Sequence, residues 1–312
     1  MKRLDNRAIP AAPGEIRAFI VARDEMSRLP ENLRHHRALG VDRFFVVDNG
    51  STDGTLDFLL AQGDAHVFAT SESYAESRFG LVWLNELLAG HGAGHWTLTV
   101  DADEWLAYPR FETIGLKALC ARLDATGAEG LFCLLLDMYA RGPISGATPA
   151  PGQSPLDVCP WFDLDGYRFV RAEHFPHLQA YGGVRERVFT SLGALAPHPP
   201  TISKIPLVKW RADRRFLLSA HALTPTPLAK TTGALLHFKF LSDFAQRVEK
   251  EVARGEHFGG AVEYRAYAEI LARDGDLVFW NARSRRWTGA DDLVALGLMA
   301  SDEGLEEAQG RA

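Results

Sequence analysis

Between positions 95 and 109 the chain reads His-Trp-Thr-Leu-Thr-Val-Asp-Ala-Asp-Glu-Trp-Leu-Ala-Tyr-Pro, an apolar run that ends on two carboxylates. Trp96, Leu98 and Val100 alternate as a buried strand would, and such a strand can release Asp101 and Asp103 only at the edge of a sheet. In extended backbone, residues two apart share a side, so both carboxylates are expected to aim at one point while Ala102 turns away. Two hard oxygen donors converging in this way suit Mg²⁺ or Mn²⁺, cations that keep open positions for water and phosphate oxygens. Acidic turns are common on surfaces, but Trp105 and Leu106 follow at once and place this pair against a core.

The chain upstream has the rhythm of a doubly wound fold. Ile16–Ala22 is an almost wholly apolar strand, as a parallel sheet covered on both faces requires. Pro30 fits a first helical turn, Leu33 and Leu39 share compatible faces, and Gly40 closes the helix. A second strand over residues 43–47 runs into Asp48-Asn49-Gly50-Ser51-Thr52-Asp53-Gly54-Thr55, a turn that caps the helix carrying Leu56, Leu59 and Leu60. Asp48 stands at the carboxyl end of a strand, where open α/β sheets bind ligands and a carboxylate can accept hydrogen bonds from a ribose or a base edge. This turn is neither a P-loop nor a Gly-x-Gly-x-x-Gly dinucleotide loop. A short strand near residues 66–69 leads to a helix expected over 74–88, with Arg78 in its first turns, within reach of a phosphate or base.

Taken in order, Ala22-Arg23-Asp24-Glu25, Gly40-Val41-Asp42, Phe45-Val46-Val47-Asp48-Asn49-Gly50-Ser51-Thr52-Asp53-Gly54-Thr55 and Val100-Asp101-Ala102-Asp103-Glu104-Trp105-Leu106 resemble the family 2 glycosyltransferases. The likeness is to the bacterial branch whose metal motif reads Asp-Ala-Asp-Glu, and it covers residues 16–108. It implies the α/β fold of GT-A type, a Rossmann-like mixed sheet flanked by helices and joined to a smaller, acceptor-side α+β half. The implied donor is a nucleotide sugar, a UDP-sugar first among them, whose diphosphate is held by Mn²⁺ or Mg²⁺ at the Asp-x-Asp. By position, the resemblance assigns Ala22, Arg23 and Asp48 to the nucleoside. Asp101 goes to the ribose or the metal, and Asp103 is the direct metal ligand. The implied acceptor is a hydroxyl of a glycan or glycolipid, as in polysaccharide assembly.

Downstream, the domain divisions expected are a loose arm over 1–14, the nucleotide-sugar half over 15–110, the acceptor half with C-terminal helices over 111–300, and an acidic tail over 301–312. Residues 114–123 read as a helix and 131–136 as a buried strand. Residues 140–160 hold five prolines and three glycines, a connection read either as a lid over the donor or as a surface insertion. The sequence from Tyr181 through Phe189 reads as a glycine turn feeding a strand, with Val184, Glu186 and Val188 on one face and Arg185 and Arg187 on the other. Family 2 enzymes commonly take the acceptor proton with a carboxylate in this half. Their usual Glu-Asp pair is absent, which leaves Glu186, Asp163 and Asp165 as candidate bases and the stereochemical outcome open. GT-A enzymes often add a late histidine to the metal. His237 is preferred to His221 for this role, because His237 and Lys239 alternate onto one side of a strand, one toward the metal and the other toward the diphosphate. Tyr264 and Tyr267 lie at helical spacing and read as core.

Composition narrows the alternatives. A net charge of -6 argues against general nucleic-acid binding, although residues 165–215 carry nine Lys or Arg against four acids and could face a phosphate-bearing substrate or an anionic membrane. The three cysteines form no Cys-x-x-Cys pair, consistent with a reduced, cytoplasmic protein. No apolar run approaches the ~20 residues of a membrane-spanning helix, so membrane contact is expected to be peripheral at most, with Arg283-Ser284-Arg285-Arg286-Trp287 as a possible headgroup contact. Two other readings remain. One is a sugar nucleotidyltransferase, though the loop after the first strand lacks the glycines that such an enzyme uses. The other is a non-catalytic nucleotide or sugar sensor.

Overall fold

The computed structural model describes residues 1–171, 176–191 and 200–302. In chain order the strands are β1 (Lys2–Arg3), β2 (Ile16–Ala22), β3 (Arg43–Asp48), β4 (Ala65–Ala69), β5 (Trp96–Thr99), β6 (Glu104–Ala107), β7 (Gly130–Asp137), β8 (Trp161–Asp163), β9 (Arg168–Val170), β10 (Gln179–Tyr181), β11 (Ser203–Lys209), β12 (Gly233–His237) and β13 (Ser284–Arg286). The helices are α1 (Leu29–Leu39), α2 (Thr55–Ala61), α3 (Leu81–His91), α4 (Leu116–Ala125), α5 (Pro155–Val158), α6 (Gly183–Thr190), α7 (Phe244–Arg254), α8 (Phe258–Asp274) and α9 (Ala290–Ala295).

Nine strands form one mixed sheet in the order β1-β4-β3-β2-β5-β11-β7-β12-β6. Strands β4, β3, β2 and β5 are mutually parallel, and β7 pairs parallel with β12, while β1, β11 and β6 run antiparallel to their neighbours. The fold is therefore a Rossmann-like mixed α/β sheet flanked by helices. Its parallel strands are mostly apolar and almost wholly buried because both faces are covered. One face packs Leu29, Leu33, Leu116 and Leu119, and the other packs Trp83, Leu87, Leu88 and Trp210. A third cluster joins α6, α7 and α8 through Phe189, Phe240, Phe244 and Tyr267.

This topology brings the carboxyl ends of β2, β3, β5, β7 and β12 to one edge. Asp48, Asp137 and His237 end their strands there, and Asp101 stands two residues past the end of β5. The antiparallel β6 and β11 begin at the same edge, with Glu104 and Lys204.

Several sequence expectations are corrected. The arm over 1–14 is tied down, since Lys2 and Arg3 pair with Ala69 and Phe68, and Arg7 donates to the Ala65 carbonyl. Helix α3 starts seven residues later than expected. Arg78 and Phe79 take φ of 56° and 62°, and Ser77 Oγ accepts from Gly80 N, so residues 74–80 form a tight turn. The expected strand after Gly182 is the helix α6. The alternation of Val184, Glu186 and Val188 also fits a helix, in which Val184 and Val188 lie one turn apart and face inward with Arg185 and Phe189. Gly182 sets the entry at φ 132°, where a Cβ would come within 2.3 Å of the Gly166 carbonyl. The loop 140–160 is not a lid here. Ile144 N bonds to Leu277 O, the Ser145 hydroxyl to Asp276, and Ser242 N to Ala147 O, which fasten the loop beside the C-terminal helices. The tail over 303–312 lies outside the described residues.

Candidate functional site

A cleft of about 270 Å³ opens at the carboxyl edge of the parallel strands. Ala22 and Arg23 line it from the end of β2, Asp101 and Asp103 from the turn after β5, and His237 and Lys239 from the end of β12. Six of the residues singled out in the sequence thus share one cavity.

The Asp-Ala-Asp-Glu segment is not a strand. Backbone pairing in β5 stops at Thr99, and residues 101–104 turn so that Glu104 can open β6 at the far edge of the sheet. Glu104 builds this turn by accepting from Asp101 N at 3.0 Å, while Asn32 of α1 donates to the carbonyls of Asp101 and Glu104. Both aspartates reach the cleft because the turn folds them toward it, and strand periodicity has no part in the convergence.

Their surroundings differ. Asp101 is open to solvent at 57% of its side chain and is held by Lys204 Nζ at 2.6 Å. Lys204 is buried and also binds Glu104 Oε1 at 2.6 Å. Burial, followed by the Asp101 charge, pushes the Glu104 carboxyl up to about 7 in spite of that lysine. Asp103 is buried, yet His237, Arg247 and Arg28 outweigh the burial and hold its carboxyl well below the usual range. His237 Nε2 lies 3.3 Å from Asp103 Oδ2, and His237 Nδ1 lies 2.6 Å from Asp137 Oδ1. Arg185 grips both oxygens of Asp137, Nε to Oδ2 and Nη2 to Oδ1 at 2.9 Å each, and its Nη2 also lies 2.8 Å from His237 Nδ1. Although burial alone would lower the His237 pKa, Asp103 and Asp137 raise it.

Asp48 is buried one residue before Asn49, which lines the cleft. Its Oδ2 accepts from the backbone N–H groups of Gly50 and Ser51 at 3.1 Å, and its Oδ1 is buried without a partner. Arg78 does not join the site. It is exposed and donates to the Leu217 carbonyl. His221 does line the cleft, with Nδ1 donating to the Ser203 carbonyl at 2.8 Å, and burial followed by Lys204 lowers its pKa to about 3.

The candidate bases are elsewhere. Asp163 is spent on Arg187, Nε to Oδ2 at 2.7 Å, and on the Tyr139 hydroxyl at 2.6 Å. Glu186 binds Arg168, and Asp165 pairs with Arg283. All three line a separate surface hollow that also holds Gly183 and Ser191. A helix in place of the expected strand is what turned Glu186 away.

The same cleft gathers Glu25, Lys204, Arg247 and Glu263, to which sequence reading assigned no individual role, and Arg185, one of the basic residues expected to face an anion, while Asp137 stands behind His237. Asp137 carried a readable signal, an acid directly after an apolar strand, as for Asp48. Lys204 carried another, a lone charge inside an apolar run. Arg185, Arg247 and Glu263 owe their place to how α6, α7 and α8 pack across the edge, and Glu25 follows the end of β2. Arg247 of α7 pairs with Glu25, and Asp243 pairs with Arg28 at 2.6 Å.

No family model matches this chain, and no curated protein matches it. Among the solved structures that it resembles is the crystal structure of 4-diphosphocytidyl-2C-methyl-D-erythritol synthase, at 21% identity over 44% of this chain and 67% of that one. The TM-score is 0.26, and a likeness of that size supports no functional inference. Function has to be argued from the cleft itself.

Among the described residues, no three His, Cys, Asp or Glu side chains stand together as a ready-made metal cage, and no helix is long and apolar enough to cross a membrane.

Proposed function

We propose that the protein is a glycosyltransferase that moves a sugar from a nucleoside-diphosphate sugar, a UDP-sugar first among the donors, to a hydroxyl of a glycan or glycolipid. This extends the likeness to family 2 seen in the sequence. The observation that carries the reading is the Asp103–His237 pair at the carboxyl edge of a Rossmann-like sheet, with Asp137 behind the imidazole.

The donor chemistry of that pair fits Mn²⁺ or Mg²⁺. Carboxylates face both ring nitrogens of His237, Asp137 at Nδ1 and Asp103 at Nε2, and a cation at Asp103 would take the place of the Nε2 proton while Nδ1 keeps its own toward Asp137. A carboxylate that orients an imidazole in this way is the usual support for a metal-binding histidine. Asp103 and His237 would hold the cation, with the remaining positions left to diphosphate oxygens and water, which explains why no third protein ligand is needed. A cation bound there supplies positive charge to offset the charge that grows on the departing diphosphate.

The chain's own residues do the rest. Ala22, Arg23 and Asn49 form the nucleoside end of the cleft, and the unpartnered Oδ1 of Asp48 sits just behind Asn49 as a spare acceptor. Asp101, solvent-open and oriented by Lys204, accepts ribose hydroxyls. Lys239 lies on the diphosphate side of His237. Six cations (Arg23, Arg185, Lys204, Lys239, Arg247 and Arg254) and six carboxylates (Glu25, Asp101, Asp103, Glu104, Glu251 and Glu263) line the cavity. That balance leaves little net attraction for a diphosphate, so donor binding should require added positive charge.

The test is a panel of nucleotide sugars with and without Mn²⁺, read as release of the nucleoside diphosphate together with the transferred sugar. Transfer that needs Mn²⁺ and vanishes in Asp103→Asn supports the proposal, and transfer retained in that variant sinks it. Consumption of a nucleoside triphosphate with pyrophosphate release would identify a nucleotidyltransferase instead. Metal-dependent UDP binding without transfer or hydrolysis across the panel would identify a sensor.

A further inference from the structure

Beyond the metal pair, the cleft ends in a second constellation, of which the reading above uses Lys239 alone. Lys239 is buried at 7% exposure, and its Nζ donates to Glu263 Oε1 at 2.5 Å. The ammonium lies over two rings, 5.0 Å from the centroid of Tyr264 and 4.9 Å from that of Tyr267. Glu263 is 28% exposed, and its second oxygen, Oε2, accepts no hydrogen bond among the described residues. Glu263, Tyr264 and Lys239 all line the cavity.

Resting on the donor reading, we propose that Lys239 and Glu263 form the subsite for the transferred sugar and select an uncharged, polyhydroxylated one. The start of α8, which bends where Gly259, Gly260 and Ala261 take positive φ, brings Glu263 and Tyr264 to the cleft. His257, just before it, packs against Tyr74 at the nucleoside end, and Glu263 reaches Lys239 at the other. Lys239 follows His237 by two residues, at most ~7 Å along the chain. A sugar joined to a diphosphate held at His237 therefore comes up against Lys239 and Glu263.

The chemistry of the pair matches hydroxyl groups. Oε2 accepts an O–H, the ammonium has two further N–H bonds for a neighbouring oxygen, and each contact is charge-assisted. Burial opposes the charge on Glu263, but Lys239 and then Arg185 hold its carboxyl down to about 2, so it is an acceptor at any working pH. A uronate would set a second carboxylate beside that of Glu263, and the one ammonium between them would then have to balance two negative charges.

The test separates the sugar from the nucleotide by binding alone. Titration calorimetry in Mn²⁺ would compare UDP, UDP-glucose and UDP-glucuronate, and also GDP, GDP-mannose and GDP-mannuronate, on the wild type and on Glu263→Gln. The hexose form should bind the wild type at least about tenfold tighter than the uronate form, the size of one charge-assisted hydrogen bond. Glu263→Gln should lose that margin and leave the free diphosphate's affinity unchanged. Lys239→Met, checked for folding by circular dichroism, should weaken the hexose form in the same way. Equal weakening of diphosphate and hexose form in Glu263→Gln would show a structural role only and overturn the subsite, as would wild-type protein that binds uronate and hexose forms alike. If no nucleotide binds the wild type, the donor reading falls and this subsite falls with it. Nucleotide binding without discrimination between sugars removes the subsite alone.

Discussion

His237 is the register partner of Glu104 across β12 and β6, and this pairing sets its Nε2 3.3 Å from Oδ2 of Asp103. The backbone reinforces the arrangement, since Phe238 N donates to the Asp103 carbonyl at 2.8 Å. The two halves of the chain thus meet at the site through a sheet ladder, which holds a donor pair more firmly than a loop contact would.

Asp103→Asn should abolish the Mn²⁺-dependent rise in melting temperature produced by a nucleoside diphosphate, because an amide is a poor ligand for a hard cation. The far-ultraviolet circular dichroism of the variant should stay native. A wild-type-sized shift in that variant would remove Asp103 from the metal.

Metal affinity should depend on pH through His237. Asp103 and Asp137 raise its pKa above the ordinary value near 6.5 against the effect of burial, and only the neutral imidazole binds a metal. Mn²⁺ affinity should therefore fall as pH drops through that raised value, approaching tenfold per unit, and level off above it. Calorimetry in buffers of different ionisation heat should report release of up to one proton. Affinity that does not change with pH between 6 and 8 would take His237 out of the ligand set. The same shift adds stability to the metal-free fold below about pH 6.5, and that contribution is lost as pH rises through the folded-state value.

Lys204→Met should cost about 3 kcal/mol of stability at pH 8, since it strands buried Glu104 without its cation. The loss should be smaller at pH 5.5. Burial and the Asp101 charge already bring the Glu104 carboxyl up to about 7, so below that pH the acid takes up a proton and no longer needs the lysine. Urea unfolding at the two pH values measures the difference, and equal losses would mean that Glu104 is not the group left uncompensated.

Asp163→Asn should lower stability by about 1–3 kcal/mol, the cost of disturbing buried charge-assisted hydrogen bonds to Arg187 and Tyr139. Turnover per folded molecule should stay within about twofold, and Glu186→Gln should change neither. A kcat collapse in either variant at full folding would return these residues to the chemistry.

The alternation of apolar residues in the sequence locates β2, β3, β5, β7 and α1 because these elements are buried on their own local pattern, although β3 and β7 each run one residue further, to Asp48 and Asp137, and β5 stops at Thr99. Asp48, Asp101 and Asp103 were legible for that reason, as acids that follow buried strands. Residues 183–190 read as a strand because Val184 and Val188, four apart, share a face in a strand and in a helix alike, and only packing against Phe240 and Tyr267 selects the helix and turns Glu186 to the opposite side. Tertiary structure alone decided the rest. It placed β6 beside β12 instead of beside β5, inserted β11 between β5 and β7, and folded α7 and α8 over the edge. Those steps bring Lys204, Asp137, His237 and Glu263 to one cleft, and they follow from burying whole faces of sheet and helix, a requirement that no stretch of sequence expresses by itself.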